Sequence, residues 1–193
     1  MATNRAILVH GWGCSPEGDW LPWLKAELER RGWQVAVPAM PDTEYPKIEP
    51  WVEALAAAAG KPDEQLVLIG HSIGCPTILH YLAGLPPAVM VAGCVLVAPW
   101  LRLDPHGVEY SEEERAIARP WLECPPDLAN AAQHVAHGCV AIFSSNDYWV
   151  DAGYNEPRFR AELGARTAVL PSRGHFMERD GVTQLPQALM AAL

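Results

Sequence analysis

Six short strand-like runs alternate along the chain with helical segments, and this alternation constrains the fold more than any other feature. Ala6–Val9 and Leu66–Ile69 are unbroken apolar runs, as a strand covered on both faces requires. Trp33–Val37, Val91–Ala98, Cys139–Ser144 and Arg166–Leu170 supply the other strands. Between them, Trp20–Arg31 carries Leu21, Leu24 and Leu28 at helical spacing, with Asp19 placed as its cap and Gly32 as its stop. Pro50–Ala59 reads as a helix that tolerates Pro50 in its first turn and stops at Gly60. Cys75–Ala83, Pro157–Leu163 and Leu185–Leu193 read as further helices. The pattern predicts an α/β fold, a mostly parallel sheet of about six strands with helices on both faces in three layers.

The segment from Trp100 to His137 breaks this rhythm, being far longer than an ordinary connection between strand and helix. It holds an acidic helical piece, Glu112–Ala118, then Arg119-Pro120-Trp121, then Asp127–Val135. It reads as a crossover helix plus a small cap spanning residues 100–137. No tract divides the chain, so residues 1–193 are expected to form a single domain. With 50% hydrophobic and 19% charged residues the chain is globular. Its formal net charge of −9 argues against nucleic acid or an anionic membrane surface as partner. The longest apolar stretch, Ala88–Leu101, is too short to span a bilayer. The five cysteines form no Cys-x-x-Cys and are odd in number. With no secretory leader read at the N-terminus, a cytoplasmic protein with free thiols is expected.

Chemistry concentrates at Gly70-His71-Ser72-Ile73-Gly74, which follows the third strand and precedes a helix. A Gly-x-Ser-x-Gly pentapeptide in that setting is a nucleophile elbow. The serine stands on a tight turn in a strained conformation, and side chains two residues to either side would collide with the turn. A serine hydroxyl is a poor nucleophile at neutral pH, so it needs a histidine to take its proton and a carboxylate to orient that histidine. These partners are expected later in the chain, acid before base, on loops after successive strands.

His175 fits the base: it lies in Ser172-Arg173-Gly174-His175-Phe176, just past the sixth strand. His71 and His80 belong to the elbow and its helix. His106, His134 and His137 fall in the cap segment without a mark of such a role. His134 and His137 share a helix face but lack a further ligand, so no metal site is expected. For the acid, Asp147 in Ser144-Ser145-Asn146-Asp147-Tyr148-Trp149-Val150 is favoured, with Asp151 and then Asp104 as alternatives. The oxyanion hole needs two backbone N–H groups. Ile73, after the nucleophile, supplies one, and Trp12 in His10-Gly11-Trp12-Gly13 supplies the other, with His10 bracing that loop.

Eight tryptophans are many for 193 residues. Trp20, Trp23, Trp33 and Trp51 are expected in the core. Trp12, Trp100 and Trp149 follow strands at the reactive end of the sheet and, with Tyr148 and Trp121, are expected to line an apolar substrate pocket. Cys75, near the elbow, reads as packing.

The His-Gly-Trp-Gly loop, Pro41-Asp42-Thr43, Gly-His-Ser-Ile-Gly, Arg119-Pro120-Trp121 and Gly174-His175-Phe176 together resemble a family of small hydrolases. It is the one that includes retinoblastoma-binding protein nine and bacterial relatives, and the likeness covers nearly the whole chain. The resemblance implies a compact three-layer α/β-hydrolase fold, esterase-like activity without a cofactor, and a triad carried onto Ser72, Asp147 and His175. Family members often have two adjacent acids in the fifth-strand loop, whereas the first position here is Asn146. The expected activity is hydrolysis of small carboxylic esters. The alternatives are a protein-binding module on the same fold and an acyl transferase using the same three residues.

Overall fold

The computed structural model describes residues 3–104 and 110–193. Six parallel strands form one sheet: β1 (Arg5–Val9), β2 (Gln34–Ala36), β3 (Leu66–His71), β4 (Gly93–Val97), β5 (Cys139–Ser144) and β6 (Arg166–Leu170), in the order β2-β1-β3-β4-β5-β6. The order reverses direction between β1 and β3. That switch point opens a crevice at the carboxyl ends of the strands, where open α/β sheets bind ligands.

Alternate side chains along each strand feed opposite layers. Ala6, Leu8, Val67, Ile69, Val95 and Val97 pack with α1 (Leu21–Glu29) and α7 (Pro186–Ala192). Ile7, Val9, Leu66, Leu68, Leu96 and Phe143 face α2 (Ile48–Ala59), α3 (Gly74–Ala83), α5 (Leu128–Ala132) and α6 (Ala152–Glu162). The α/β fold expected from the alternation is therefore the one observed. Trp20 and Trp51 are buried in these layers, while Trp23 and Trp33 lie half-buried at their edges.

Several local expectations differ from the structure. Asp19 does not cap α1, whose flanking residue Trp20 makes no side-chain cap bond. Helix α6 starts five residues before Pro157, because Asp151 accepts from the Gly153 amide at 2.8 Å and opens the helix there. Helix α4 (Glu112–Glu123) runs through Pro120 instead of ending at Ala118. It begins on a capping box in which Ser111 and Glu114 satisfy each other's backbone amides. Trp121 anchors it, donating to the Pro46 carbonyl at 3.0 Å and packing edge-on against Trp51. Helix α5 belongs to the layer beside α3, where the Asn130 side chain donates to the Ala83 carbonyl at 2.7 Å. In the same connection, the His134 ring donates from Nδ1 to the Val89 carbonyl at 2.7 Å. His106 lies outside the described residues. Among the described residues no helix is long and apolar enough to cross a membrane.

Candidate active site

Strand β3 ends at His71, and the chain turns at Ser72 with φ of +52° before α3 begins at Gly74. The Ser72 amide donates to the Val97 carbonyl and the Ser72 carbonyl accepts from the Cys75 amide, each at 2.9 Å. A Cβ on Gly74 would stand 2.4 Å from the Val9 carbonyl oxygen, and one on Gly70 would stand 2.8 Å from the Gly74 backbone. Both glycines are thus sterically required, as the spacing predicts. A positive φ at a non-glycine residue stores strain and holds the side chain outward. Ala98 after β4, Ser172 after β6 and Phe176 beside His175 share that conformation.

His175 and Asp147 meet in that region, on the loops after β6 and β5. His175 Nδ1 lies 2.8 Å from Asp147 Oδ2 and 3.0 Å from Oδ1. The carboxylate accepts only, so Nδ1 carries the proton and donates it. Asp147 Oδ1 also accepts from the amides of Trp149 at 2.9 Å and Val150 at 3.0 Å. Both residues are buried, with relative exposures of 2% and 6%. His175 Nε2 is buried and has no hydrogen-bond partner, and no hydrogen bond joins it to the Ser72 hydroxyl. Ser72 and His175 line one cavity, and contacts between nucleophile and base are often long before a Michaelis complex forms.

The two loops are stitched together. Asn146 Oδ1 accepts from the Gly174 amide and the Ser144 hydroxyl, each at 2.9 Å. Asn146 thus supports the histidine loop as a neutral acceptor where an adjacent acid was expected. Asp180 Oδ2 accepts from the amides of His175 at 2.8 Å and Met177 at 3.1 Å. A Cβ on Gly174, whose φ is +53°, would strike Asp180 at 2.3 Å. The two alternative acids are engaged elsewhere: Asp151 opens α6, and Asp104 pairs with Arg102.

The cavity measures about 190 Å³, and Trp12, Ile73, Trp100, Leu103, Trp149 and Met177 form its apolar wall. Trp12, Trp100 and Trp149 therefore stand where the sequence places them. Trp121 and Tyr148 do not line it. Trp121 is buried beneath α4, since its indole N–H finds a partner only in the Pro46 carbonyl. Tyr148 packs behind the histidine loop, where its hydroxyl lies 3.3 Å from Asp180 Oδ2 and accepts from Arg179 Nε at 3.0 Å. Among the described residues, the amides of Trp12 and Ile73 donate to no other protein group. His10 braces the Trp12 loop: Nδ1 donates to the Gly11 carbonyl at 2.9 Å and Nε2 accepts from the Met40 amide at 3.1 Å.

Burial disfavours the thiolate at both nearby cysteines. Burial and the Asp19 carboxylate push Cys14 up to about 12, and burial raises Cys75 well above its ordinary value. The Cys75 thiol donates to the Gly70 and Val97 carbonyls, consistent with packing.

His71 is fully buried, and that burial, reinforced by the neighbouring His175 ring, lowers it from 6.5 to about 4. Between those values the unfolded chain binds the proton that the folded one refuses, so stability falls as pH drops from 6.5 toward 4. Burial lowers His10 too, with the same sign. The expected result is a lower urea midpoint at pH 4.5 than at pH 7, with a shallower pH dependence in His71→Gln. An equal slope in that variant would remove His71 as the cause.

The serine hydrolase family model matches residues 6–192. YdeN of Bacillus subtilis (strain 168) is 27% identical over 184 residues, which are 95% of this chain and 92% of that protein. The crystal structure of the ydeN gene product has a TM-score of 0.85 at 25% identity, covering 97% of this chain and 96% of that one. Carboxylesterase CesB (YbfK) of B. subtilis, at 14% identity, shares the fold with a TM-score of 0.62, covering 99% of this chain and 85% of its own. Phosphatidylcholine-sterol acyltransferase of Mus musculus is 40% identical over 117 residues, half of this chain and 26% of that protein.

Proposed function

Since the chain belongs to the serine hydrolase family, we propose that it cleaves small carboxylic esters, with Ser72 as nucleophile, His175 as base and Asp147 as the group that orients it. The observation that carries this reading is the buried His175–Asp147 pair, with Nε2 left unpartnered among the described residues and His175 lining the same cavity as the strained Ser72. A protein-binding scaffold has no need of that strain.

In the first step the Ser72 oxygen bonds to the acyl carbon and its proton passes to His175 Nε2. The negative oxygen of the tetrahedral intermediate takes hydrogen bonds from the Trp12 and Ile73 amides, each worth about 3 kcal/mol of transition-state stabilisation. Asp147 steadies the imidazolium. His175 then gives its proton to the departing alkoxide, leaving an acyl group on Ser72. Water attacks this acyl group, losing a proton to His175, and the carboxylic acid and free Ser72 are restored. Trp12, Trp100 and Trp149 receive the apolar part of the substrate. An alcohol in place of water turns the same acyl-enzyme into a transferase, a reading favoured by the likeness of half the chain to the mouse acyltransferase.

Mixing the protein with p-nitrophenyl acetate or butyrate should release a burst of about one nitrophenol per molecule, followed by steady turnover. A competing alcohol separates hydrolysis from transfer by its ester product. No release above the buffer rate with short esters would overturn the assignment.

A further inference from the structure

The histidine that precedes Ser72 takes no part in the chemistry above, yet it is buried against the proposed base. We propose that His71 is a positioning residue that fixes His175 relative to Ser72, by donating a hydrogen bond from Nε2 to the His175 carbonyl. The inference rests on the triad reading and adds to it the element that sets the separation of nucleophile and base.

The His71 Nε2 atom is 2.8 Å from the His175 carbonyl oxygen, and a carbonyl only accepts, so Nε2 bears the hydrogen. The two rings are stacked at a tilt of 39°, with centroids 5.3 Å apart. Trp20 also packs edge-on against the His71 ring, with centroids 5.8 Å apart.

The other bonds to His175 come from its own side of the crevice. Its amide donates to Asp180 and its Nδ1 donates to Asp147, both on the loops after β5 and β6. Among the described residues, the bond from His71 is the one hydrogen bond that ties this loop to the end of β3, where Ser72 stands. Without it, the base remains well oriented toward its acid but is no longer held to the strand that carries the nucleophile. A displacement of about 1 Å between reacting groups lowers a rate by about a hundredfold.

Asp19 ties the loop that carries His175 to the segment before α1. Its φ of +53° is a strained conformation for a non-glycine residue. From it, Oδ1 accepts from the Glu178 amide at 2.8 Å, while Oδ2 lies 3.7 Å from His71 Nδ1. Nδ1 has no hydrogen-bond partner, which fits a neutral ring with its lone pair there. Neutrality matters because His175 gains a positive charge during each proton transfer. A second cation stacked on it would oppose that step.

Gln and Met have nearly the same shape, and only Gln keeps a donor near the position of Nε2. The test compares His71→Gln with His71→Met, reading kcat and KM for p-nitrophenyl acetate per site counted by a fluorophosphonate probe. H71M is expected to lose about 30- to 100-fold in kcat with KM within about twofold, and H71Q to recover most of the loss. Equal kcat values in the two variants would overturn the positioning role. Labelling of the wild-type protein at Ser72 keeps the triad reading separate, since its absence would sink both. Should neither variant fold, long-range 1H–15N spectra of the wild-type protein still decide. The proposal expects the His71 proton on Nε2 across neutral pH, and a proton on Nδ1 instead would contradict it.

Discussion

Ser72→Ala is expected to lower kcat on short esters by about 10⁴- to 10⁶-fold while leaving the folded structure intact. The substitution removes one oxygen and keeps the Cβ. Alanine also meets the +52° backbone at no greater steric disadvantage than serine. The contacts that hold the turn are made by main-chain atoms, namely the Ser72 amide to Val97 and the Cys75 amide to the Ser72 carbonyl. Urea midpoints should therefore agree between variant and wild type. Residual catalysis of about 10³-fold over water is expected, because the cavity and the Trp12 and Ile73 amides survive. Undiminished turnover would mean that the nucleophile is another residue.

Asp147→Asn is expected to lower kcat by about 10⁴-fold, and the geometry gives the reason. Asp147 Oδ1 accepts from two amides, Trp149 and Val150, so the oxygen of an asparagine carboxamide is fixed at that position. Its NH₂ group then occupies the place of Oδ2, 2.8 Å from His175 Nδ1. Two donors cannot share that contact. With the shorter contact, 2.8 Å against 3.0 Å to Oδ1, now a donor, Nδ1 becomes the acceptor and the imidazole proton moves to Nε2. The base then presents a hydrogen to Ser72 where it should present a lone pair. Asp151→Asn and Asp104→Asn serve as controls and should stay within about twofold of wild type, because asparagine also caps helices and the Asp104–Arg102 pair is exposed. A larger loss in Asp151→Asn than in Asp147→Asn would move the acid to the alternative position.

The parts of the fold legible in the sequence are those set by local physics. Strands buried on both faces must be apolar, so Leu66–Ile69 and Ala6–Val9 declare themselves, while the ends at His71 and Arg5 do not. Gly70 and Gly74 are forced by approach distances that tolerate no side chain. The features that escaped depend on competition between local rules or on contacts across the chain. Pro157 and Pro120 normally break helices, yet they sit inside α6 and α4, where the side-chain caps of Asp151 and Ser111 set the starts. Asp19 resembles a cap by position, but its carboxylate spends its bonding on Glu178, 159 residues away.

The site divides in the same way. Ser72, His175 and Asp147, the proposed triad, are each marked in the sequence by a motif or a loop position, and the fold sets His175 beside Asp147 and on the same cavity as Ser72. Trp121 and Tyr148 were assigned to the pocket because they are aromatic and near the right loops, while their polar ends find partners beneath α4 and behind the histidine loop. Asp180, which holds the histidine loop, carries no sequence signal, being five residues past His175 in a 3-10 turn, and Asn146 stands out only as a departure from the adjacent acid that the resemblance implies. The bond from His71 to the His175 carbonyl spans 104 residues and exists only once the sheet has formed.

In the proposed reaction one hydroxyl, made nucleophilic by one imidazole, performs the chemistry. Reacting the protein with a fluorophosphonate and mapping the modified peptide tests it most directly. One label per chain is expected, on Ser72, with esterase activity lost in step with labelling and no labelling of His175→Ala on the same timescale. A label on Cys14 or on another serine, or full turnover by protein already modified at Ser72, would contradict it.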